Sequence, residues 1–172
     1  IATDGRHDEQ QLSGHSWLLR GLCEQYEAHR DERALSWIDA IVRGLALPAR
    51  DAYAAYPHET YADLLDGEAI GQIGRVDLGP WRLSTDIGCA FILLDGLSHV
   101  YRITEDPAVG DMLDAMAETF VELDFVKMSL QTHATLSGVR GLLRLAEQRR
   151  STALLDEAQR IWRLYWTAAR TA

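Results

Sequence analysis

The sequence lacks the features typical of several large classes of protein. It has no run rich in Lys or Arg, and 17 basic residues against 26 acidic ones give a formal net charge of −9, so the charge pattern of a nucleic-acid-binding protein is absent. Its apolar runs are broken by Gly, Asp or Arg well before the roughly 18 residues of a membrane-spanning helix. Residues 1–11 are polar and charged, unlike a secretory signal peptide. We therefore expect neither a nucleic acid nor a membrane as partner.

Cysteine is scarce, and Cys23 and Cys89 are the two present. Both lie in apolar helical patterns, where a buried reduced thiol is the usual state. Neither has a companion at metal-ligand spacing, so a disulfide or a metal site is the weaker alternative. We expect two core thiols, no metal site in this chain, and a cytoplasmic location.

Proline is also scarce, and three of the four prolines fall within residues 47–83. The same segment contains several glycines, which indicates a loop with short strands, and GEAIGQIGRVDLGPW could form a small β-hairpin. Tyr53, Tyr56, Tyr61 and Trp81 make the segment aromatic. We predict an inserted loop and β-hairpin at about 47–83, of the kind that often contributes to binding surfaces.

The sequence does contain an internal repeat marked by glycine. SGHSWLLRGL, STDIGCAFILLDGL and QTHATLSGVRGL each open a helical pattern, and they carry Gly21, Gly96 and Gly141 at the same position. The glycines are 75 and 45 residues apart, which indicates a unit of about 45 residues with about 30 more inserted in its first copy.

Each copy of the repeat predicts two helices joined by a turn. Ten residues after each glycine stands a short polar residue that could cap a second helix, namely Asp31, Asp106 and Ser151. The predicted helices lie near residues 11–30, 33–46, 86–104, 107–124, 132–149 and 152–169. The first helix of each pair is the more apolar, so it should lie inside and the second outside. We predict one all-α domain over residues 1–172, built from three αα-hairpins, as an open superhelix or part of a closed toroid.

Polar and aromatic residues stand near the start of each inner helix. If these helices are parallel, their N termini meet at one end, where free N–H groups and the helix dipole favour oxygen-rich ligands. We predict a sugar pocket there, lined by His15, Trp17, Trp81, Gln131 and Thr132, with Asp86 and His133 as candidate catalytic residues. The structural alternative is that these residues cap helices or complete the core.

Glycoside hydrolysis usually needs two carboxyl groups, and Asp86 is the one carboxylate placed among these residues. Asp95 and Arg140 each precede a repeat glycine and are expected to be buried partners.

Three segments resemble bacterial six-hairpin glycosidase-like proteins, relatives of the β-L-arabinofuranosidases of glycoside hydrolase family 127. They are LSGHSWLLRGLCEQYEAHRDERAL, GPWRLSTDIGCAFILLDGLSHVYRITED and DFVKMSLQTHATLSGVRGLLRLAEQ. The resemblance implies an (α/α)6 toroid whose carbohydrate cleft includes His15, Asp86 and His133, and it implies hydrolysis of a furanoside or related glycan. In family 127, Glu-x-Cys and later cysteines bind zinc, with a cysteine as nucleophile, in the second half of the protein. No Glu-x-Cys occurs here, so zinc is implied only for the missing half.

The resemblance therefore implies that this incomplete toroid supplies one side of a substrate cleft. We expect a glycoside hydrolase in the full-length form and no activity from this chain alone, until a second chain or the missing C-terminal half supplies three more hairpins. Two rivals remain. One is a helical-repeat module that holds a partner protein on its concave face, and the other is a non-catalytic scaffold that dimerises through its half-ring edges.

Overall fold

The computed structural model describes residues 5–58, 76–84 and 87–169, which are predominantly helical. The α-helices of this part are α1 Glu9–His29, α2 Glu32–Ile41, α3 Arg50–Ala54, α4 Leu93–Thr104, α5 Pro107–Glu122, α6 Thr132–Arg149 and α7 Thr152–Ala169. The strands are β1 His7–Asp8, β2 Val76–Leu78 and β3 Trp81–Leu83. The all-α class predicted from sequence is confirmed. No helix of the described ranges is long and apolar enough to cross a membrane.

The second helix extends further than its sequence pattern predicted. After α2 the chain continues through a π-helical turn, Val42–Ala46, and a 3-10 turn, Leu47–Ala49, directly into α3. Ala46, Ala49 and Tyr53 are buried along this stretch, so packing keeps it helical. Pro48 is the second residue of the 3-10 segment, where its fixed φ fits a helical turn. Residues 47–54 are therefore helix rather than loop.

The three turns that end the inner helices have the same geometry. In each, a non-glycine residue adopts the left-handed conformation, with φ of 53° at Arg30, 50° at Glu105 and 51° at Arg150. The next residue caps the following helix: the acceptors are Asp31 for the N–H of Arg33, Asp106 for that of Ala108, and Ser151 for that of Leu154. All three predicted caps are confirmed.

The inner helices α1, α4 and α6 lie side by side, with α4 in the middle. They approach closely because glycine stands at each contact. A Cβ atom added to Gly96 would lie 2.6 Å from the carbonyl oxygen of Ser16, and one added to Gly141 would lie 2.6 Å from the backbone nitrogen of Asp95. Only glycine, which has no Cβ atom, allows two helix backbones to approach this closely. The repeat glycines therefore set the distance between neighbouring inner helices.

The inner helices also run in the same direction. Along α1 and α4, Ser16 contacts Gly96 and Glu27 contacts Arg102, so contacting residues rise in number together. Along α4 and α6, Asp95 contacts Arg140 and Ser98 contacts Gln148. The N termini of the three helices therefore lie at one end of the layer. Every residue from 93 to 100 of the central helix is buried.

The core lies between the inner helices and the segments that follow them. α2 packs against α1, α5 against α3 and α4, and α7 against α6. Its largest buried side chains include Trp81, Tyr53, Phe91 and Phe120. Cys23 and Cys89 are buried free thiols, as predicted. Desolvation raises the pKa of Cys23 to about 12, which keeps this thiol protonated and unreactive.

A small sheet closes the N-terminal end of this core. β3 is central, with β2 antiparallel on one side and β1 parallel on the other. The β2–β3 pair forms the predicted hairpin, turning at Gly79 with φ of 54°. β1 was not predicted, because residues 1–11 read as polar chain. The rest of the predicted insertion, residues 59–75 with Tyr61, lies outside the described residues.

Candidate functional site

One side of the inner layer is free of the outer helices and carries a row of polar and aromatic side chains, which we term the inner face. Its residues are Trp17, Arg20 and Glu27 of α1, Asp95, His99 and Arg102 of α4, and His133, Arg140, Arg144 and Gln148 of α6. On each helix they are three, four or seven residues apart, so they share one side of that helix. The row extends from the N-terminal end of the layer to its C-terminal end.

At the N-terminal end, the side chains of Trp17 and His133 meet. Their ring centroids are 6.4 Å apart and the ring planes are inclined by 42°. The two residues belong to α1 and α6, which pack on opposite sides of α4, so the inner face is concave at this end. Trp17 remains 52% exposed. The structure thus presents an aromatic surface beside an imidazole, which could stack on a sugar ring and hydrogen-bond its hydroxyl groups.

Gln131 and Thr132 precede His133 at the start of α6. The backbone N–H of Gln131 donates to the carbonyl oxygen of Ile87 at 3.2 Å. Its side-chain Oε1 is buried and has no hydrogen-bond partner within the part of the chain that the structure describes. Thr132 is exposed. Both residues lie within one helical turn of His133, and their predicted role in sugar binding stays a prediction.

His15 and Trp81 lie elsewhere. His15 is two residues from Trp17, hence about 200° around the helix, and its Nδ1 lies 2.8 Å from the carbonyl oxygen of Gln11 in the same helix. Trp81 is fully buried, and its indole N–H donates to the carbonyl oxygen of Ala52 at 3.0 Å. The inner face is therefore formed without these two side chains. Asp86, the predicted catalytic carboxylate, lies outside the described residues.

A buried carboxylate surrounded by arginines occupies the middle of the inner face. Asp95 has no exposed surface. Arg140 donates to it from Nε at 2.8 Å and again from Nη2. Arg144 donates from Nη1 to the carboxylate and, at 3.0 Å, to the backbone carbonyl of Asp95. Nε of Arg20 lies 3.3 Å from the carboxylate. The hydrogen bond to Asp95 raises the pKa of Arg140, so this guanidinium stays charged.

The repeat register contained the signal for most of this arginine cluster. Arg20, Asp95 and Arg140 each stand one residue before a repeat glycine. Sequence reasoning paired Asp95 with Arg140, and the structure confirms that pair. It missed Arg20, although this residue occupies the same register position. Arg144 could have been found one turn beyond Arg140 on the same side of α6.

The C-terminal end of the inner face holds a second charged group. Glu27 accepts a hydrogen bond from Arg102 at 2.8 Å, and its other oxygen lies 3.0 Å from Nε2 of His99. His99 is almost fully buried, and burial lowers its pKa, which favours the neutral imidazole. Gln148 donates to the carbonyl oxygen of Ser98 at 2.9 Å. This group joins all three inner helices and serves packing.

A further carboxyl group, Glu9, is buried at the first turn of α1. It accepts hydrogen bonds from the Tyr56 hydroxyl at 2.6 Å and from the Ser84 N–H at 2.8 Å. Desolvation raises its pKa from 4.5 to about 7, so the carboxyl is half protonated near neutral pH. Sequence analysis missed Glu9 because a charged residue near the start of the chain read as solvated. With no exposed surface, Glu9 joins α1 to the sheet and has no access to a substrate.

Within residues 5–58, 76–84 and 87–169, no group of three or more His, Cys, Asp or Glu side chains is arranged to hold a metal ion. Comparison with known proteins gives no further guidance, since no family model, curated protein or solved structure matches this chain.

Proposed function

We propose that this chain forms one side of a carbohydrate cleft in a glycoside hydrolase of the six-hairpin type, and that its three helical pairs are part of an (α/α)6 toroid. The observation that carries the proposal is the contact between Trp17 and His133 at the N-terminal end of a parallel inner layer. An exposed indole supplies a flat apolar surface for a sugar ring. The imidazole of His133 and the hydroxyl of Thr132, both exposed residues, supply polar groups for its hydroxyls.

The edges of the layer support the toroid. Gly96 and Gly141 each receive the preceding inner helix, whereas a Cβ atom on Gly21 would meet nothing within 4 Å. Gly21 lies about 140° around α1 from Ser16, which contacts α4, so its surface is turned away from that helix. A neighbouring inner helix thus packs against two of the three repeat glycines, Gly96 and Gly141. The third, Gly21, is open, and a further inner helix would pack there.

The opposite edge is apolar. We term it the α6–α7 edge, and it consists of Leu136, Leu143, Leu155, Trp162 and Trp166, each at least 37% exposed. Leu136 and Leu143 lie about 150° around α6 from Gly141, so they face away from α4. Trp162 and Trp166 stack with centroids 5.2 Å apart. An exposed apolar surface of this kind marks an interface, and a further helical pair of the same repeat type would cover it.

Hydrolysis of a furanoside or related glycan needs groups beyond those of the inner face. His133 and Asp86 are the candidate catalytic residues, and a second carboxyl group is required for the usual mechanism. Glu9 does not supply it, because its carboxyl is enclosed by Tyr56 and Ser84. We therefore propose that the complete ring is the enzyme and that this chain alone binds sugar without turnover.

The test combines sugar binding with a matched pair of tryptophan variants. Isothermal titration and ¹H–¹⁵N NMR of residues 1–172 with arabinose-type sugars should show weak binding, with shifts at Trp17 and His133. Trp17→Ala should abolish this binding. Trp37→Ala is the control, since Trp37 is 64% exposed on α2 and not on the inner face. Absence of any sugar binding would contradict the cleft, and rapid hydrolysis of an aryl arabinofuranoside by this chain would contradict the incomplete site.

The apolar edge also favours a second candidate function, a non-catalytic scaffold that assembles through this edge. A scaffold would associate with a second copy without binding sugar. Association through the edge is compatible with both functions, so the sugar titration separates them: association in light scattering without any sugar binding indicates the scaffold, and sugar binding at Trp17 indicates the cleft.

A further inference from the structure

We propose that the sugar bound by the inner face is acidic, with a carboxylate that the Arg20, Arg140 and Arg144 cluster recognises. The inference rests on the proposed carbohydrate function and specifies the substrate class as a uronate-containing glycan. It depends on the charges of the cluster, on the hydrogen-bond donors that Asp95 leaves unused, and on the distance between the cluster and Trp17.

The cluster carries more positive than negative charge. Three guanidinium groups contact one carboxylate, Asp95. Glu24 lies 3.9 Å from Arg20 and is largely exposed. Even with Glu24 included, one positive charge remains in excess, on a chain whose formal net charge is −9. A local cationic site on an acidic protein attracts one small anionic group while the rest of the surface repels polyanions.

The arginines retain donors that could reach a ligand. A guanidinium offers five N–H donors in a planar array. Arg140 uses Nε and Nη2 on Asp95, and Arg144 uses Nη1. Across the described ranges, no hydrogen bond engages Nη1 of Arg140 or Nη2 of Arg144. The Arg140 side chain is 45% exposed, so its free nitrogen is open to a ligand. Two such nitrogens can hold a carboxylate by the charge-assisted bonds typical of arginine.

Asp95 acts as a positioning residue in this arrangement. Its buried carboxylate fixes the guanidinium groups of Arg140 and Arg144 before a ligand arrives, which lowers the entropy lost on binding. The carboxylate of Asp95 contacts one edge of each guanidinium group. Within the described residues, Nη1 of Arg140 and Nη2 of Arg144 therefore keep their hydrogen-bond donors for a ligand.

The spacing between cluster and aromatic residue suits a single sugar unit. Trp17 precedes Arg20 by three residues, which is about 4.5 Å along the helix axis, and His133 precedes Arg140 by seven residues, or about 10.5 Å. All four side chains belong to the inner face. A sugar ring stacked on Trp17 therefore places a carboxylate substituent within reach of Arg20 and Arg140.

The experiment compares D-galacturonate with D-galactose, which differ only in carboxylate against hydroxymethyl at C6, by isothermal titration at two salt concentrations. Galacturonate should bind about tenfold or more tightly than galactose, as expected for charge-assisted hydrogen bonds to arginine. Added salt should weaken the binding of galacturonate and leave that of galactose unchanged. Arg140→Gln should remove the preference for galacturonate over galactose. Arg102→Gln, a similarly exposed arginine at the other end of the inner face, should preserve it.

The outcomes separate the two proposals. Equal affinity for galactose and galacturonate would overturn the acidic-sugar inference and leave the carbohydrate cleft standing. If galacturonate and acetate both shift the arginine resonances while no neutral sugar binds, the cluster is an anion site and the carbohydrate function fails. The comparison of the two sugars uses the wild-type protein, so it remains valid even if Arg140→Gln does not fold. Circular dichroism checks the fold of each variant.

Discussion

Gly96 of α4 lies so close to Ser16 of α1 that a Cβ atom on the glycine would stand 2.6 Å from the carbonyl oxygen of the serine. Backbone atoms cannot move aside as a flexible side chain can. We expect Gly96→Ala and Gly141→Ala to lower the free energy of unfolding by about 1–3 kcal/mol, the usual range for overpacking. Urea denaturation monitored by circular dichroism measures the change.

Gly21→Ala is the matched control for these variants. The position has the same register and open space around it, so alanine should stabilise the chain by up to about 1 kcal/mol through its higher helix propensity. A destabilising effect equal to that of Gly96→Ala would contradict the assignment of Gly21 to a free edge.

The buried carboxyl of Glu9 should make stability depend on pH. Its pKa rises from 4.5 to about 7 on folding, because desolvation disfavours the charged form. The folded state therefore retains a proton that the unfolded chain has lost, so the free energy of unfolding should fall as pH rises from 4.5 to about 7, by about 3 kcal/mol in total.

Glu9→Gln isolates this contribution from other titrating groups. The amide cannot ionise, so the variant should lose less stability than the wild type between pH 4.5 and 7, measured by urea denaturation at both values. Glu24→Gln, at an exposed site on the same helix, should keep the wild-type dependence. Parallel pH profiles for wild type and Glu9→Gln would show that folding does not raise the pKa of Glu9.

Asp95 should be essential to the stability of the inner layer. Asp95→Asn removes the charge that holds three arginines together, and loss of one partner from a buried ion pair typically costs about 3–5 kcal/mol. Asp114→Asn breaks an exposed pair with Arg149 and should cost about 0–1 kcal/mol. Thermal or urea denaturation compares the two. Similar small losses would mean that solvent reaches the Asp95 cluster more freely than its burial indicates.

The α6–α7 edge should mediate self-association of the isolated chain. A second copy offers the open Gly21 surface, so the weight-average mass of residues 1–172 should rise with concentration in sedimentation equilibrium. Replacing Leu143 and Trp162 together by serine should suppress this rise, because both side chains are exposed on the edge. Val126→Ser, which removes a more exposed side chain outside the edge, should not. A strictly monomeric wild type at high concentration would count against the edge as an interface for this chain.

Local sequence patterns were sufficient to predict the helices and their turns. A helix cap depends on one residue and its next two or three neighbours, so Asp31, Asp106 and Ser151 could be assigned from the chain alone. The glycine register likewise placed Asp95 beside Arg140, because equivalent positions on packed parallel helices lie at similar heights.

Positions around a helix axis were harder to predict. His15 and Trp17 are two residues apart in sequence, yet a helix turns them to opposite sides, and only packing decides which of them belongs to the inner face. The same limit applied to Trp81, whose aromatic character fitted a binding loop as well as a core.

The sequence by itself determined the all-α class, the helix caps and the glycines that allow close approach of the helices, since each depends on short-range periodicity, on a local side chain or on the absence of a Cβ atom. Only the tertiary structure decided that Glu9 is buried, that Arg20 and Arg144 join Asp95, and that Trp17 reaches His133 across α4. These relationships depend on which surfaces of distant helices meet, and burial and electrostatic environment follow from that packing.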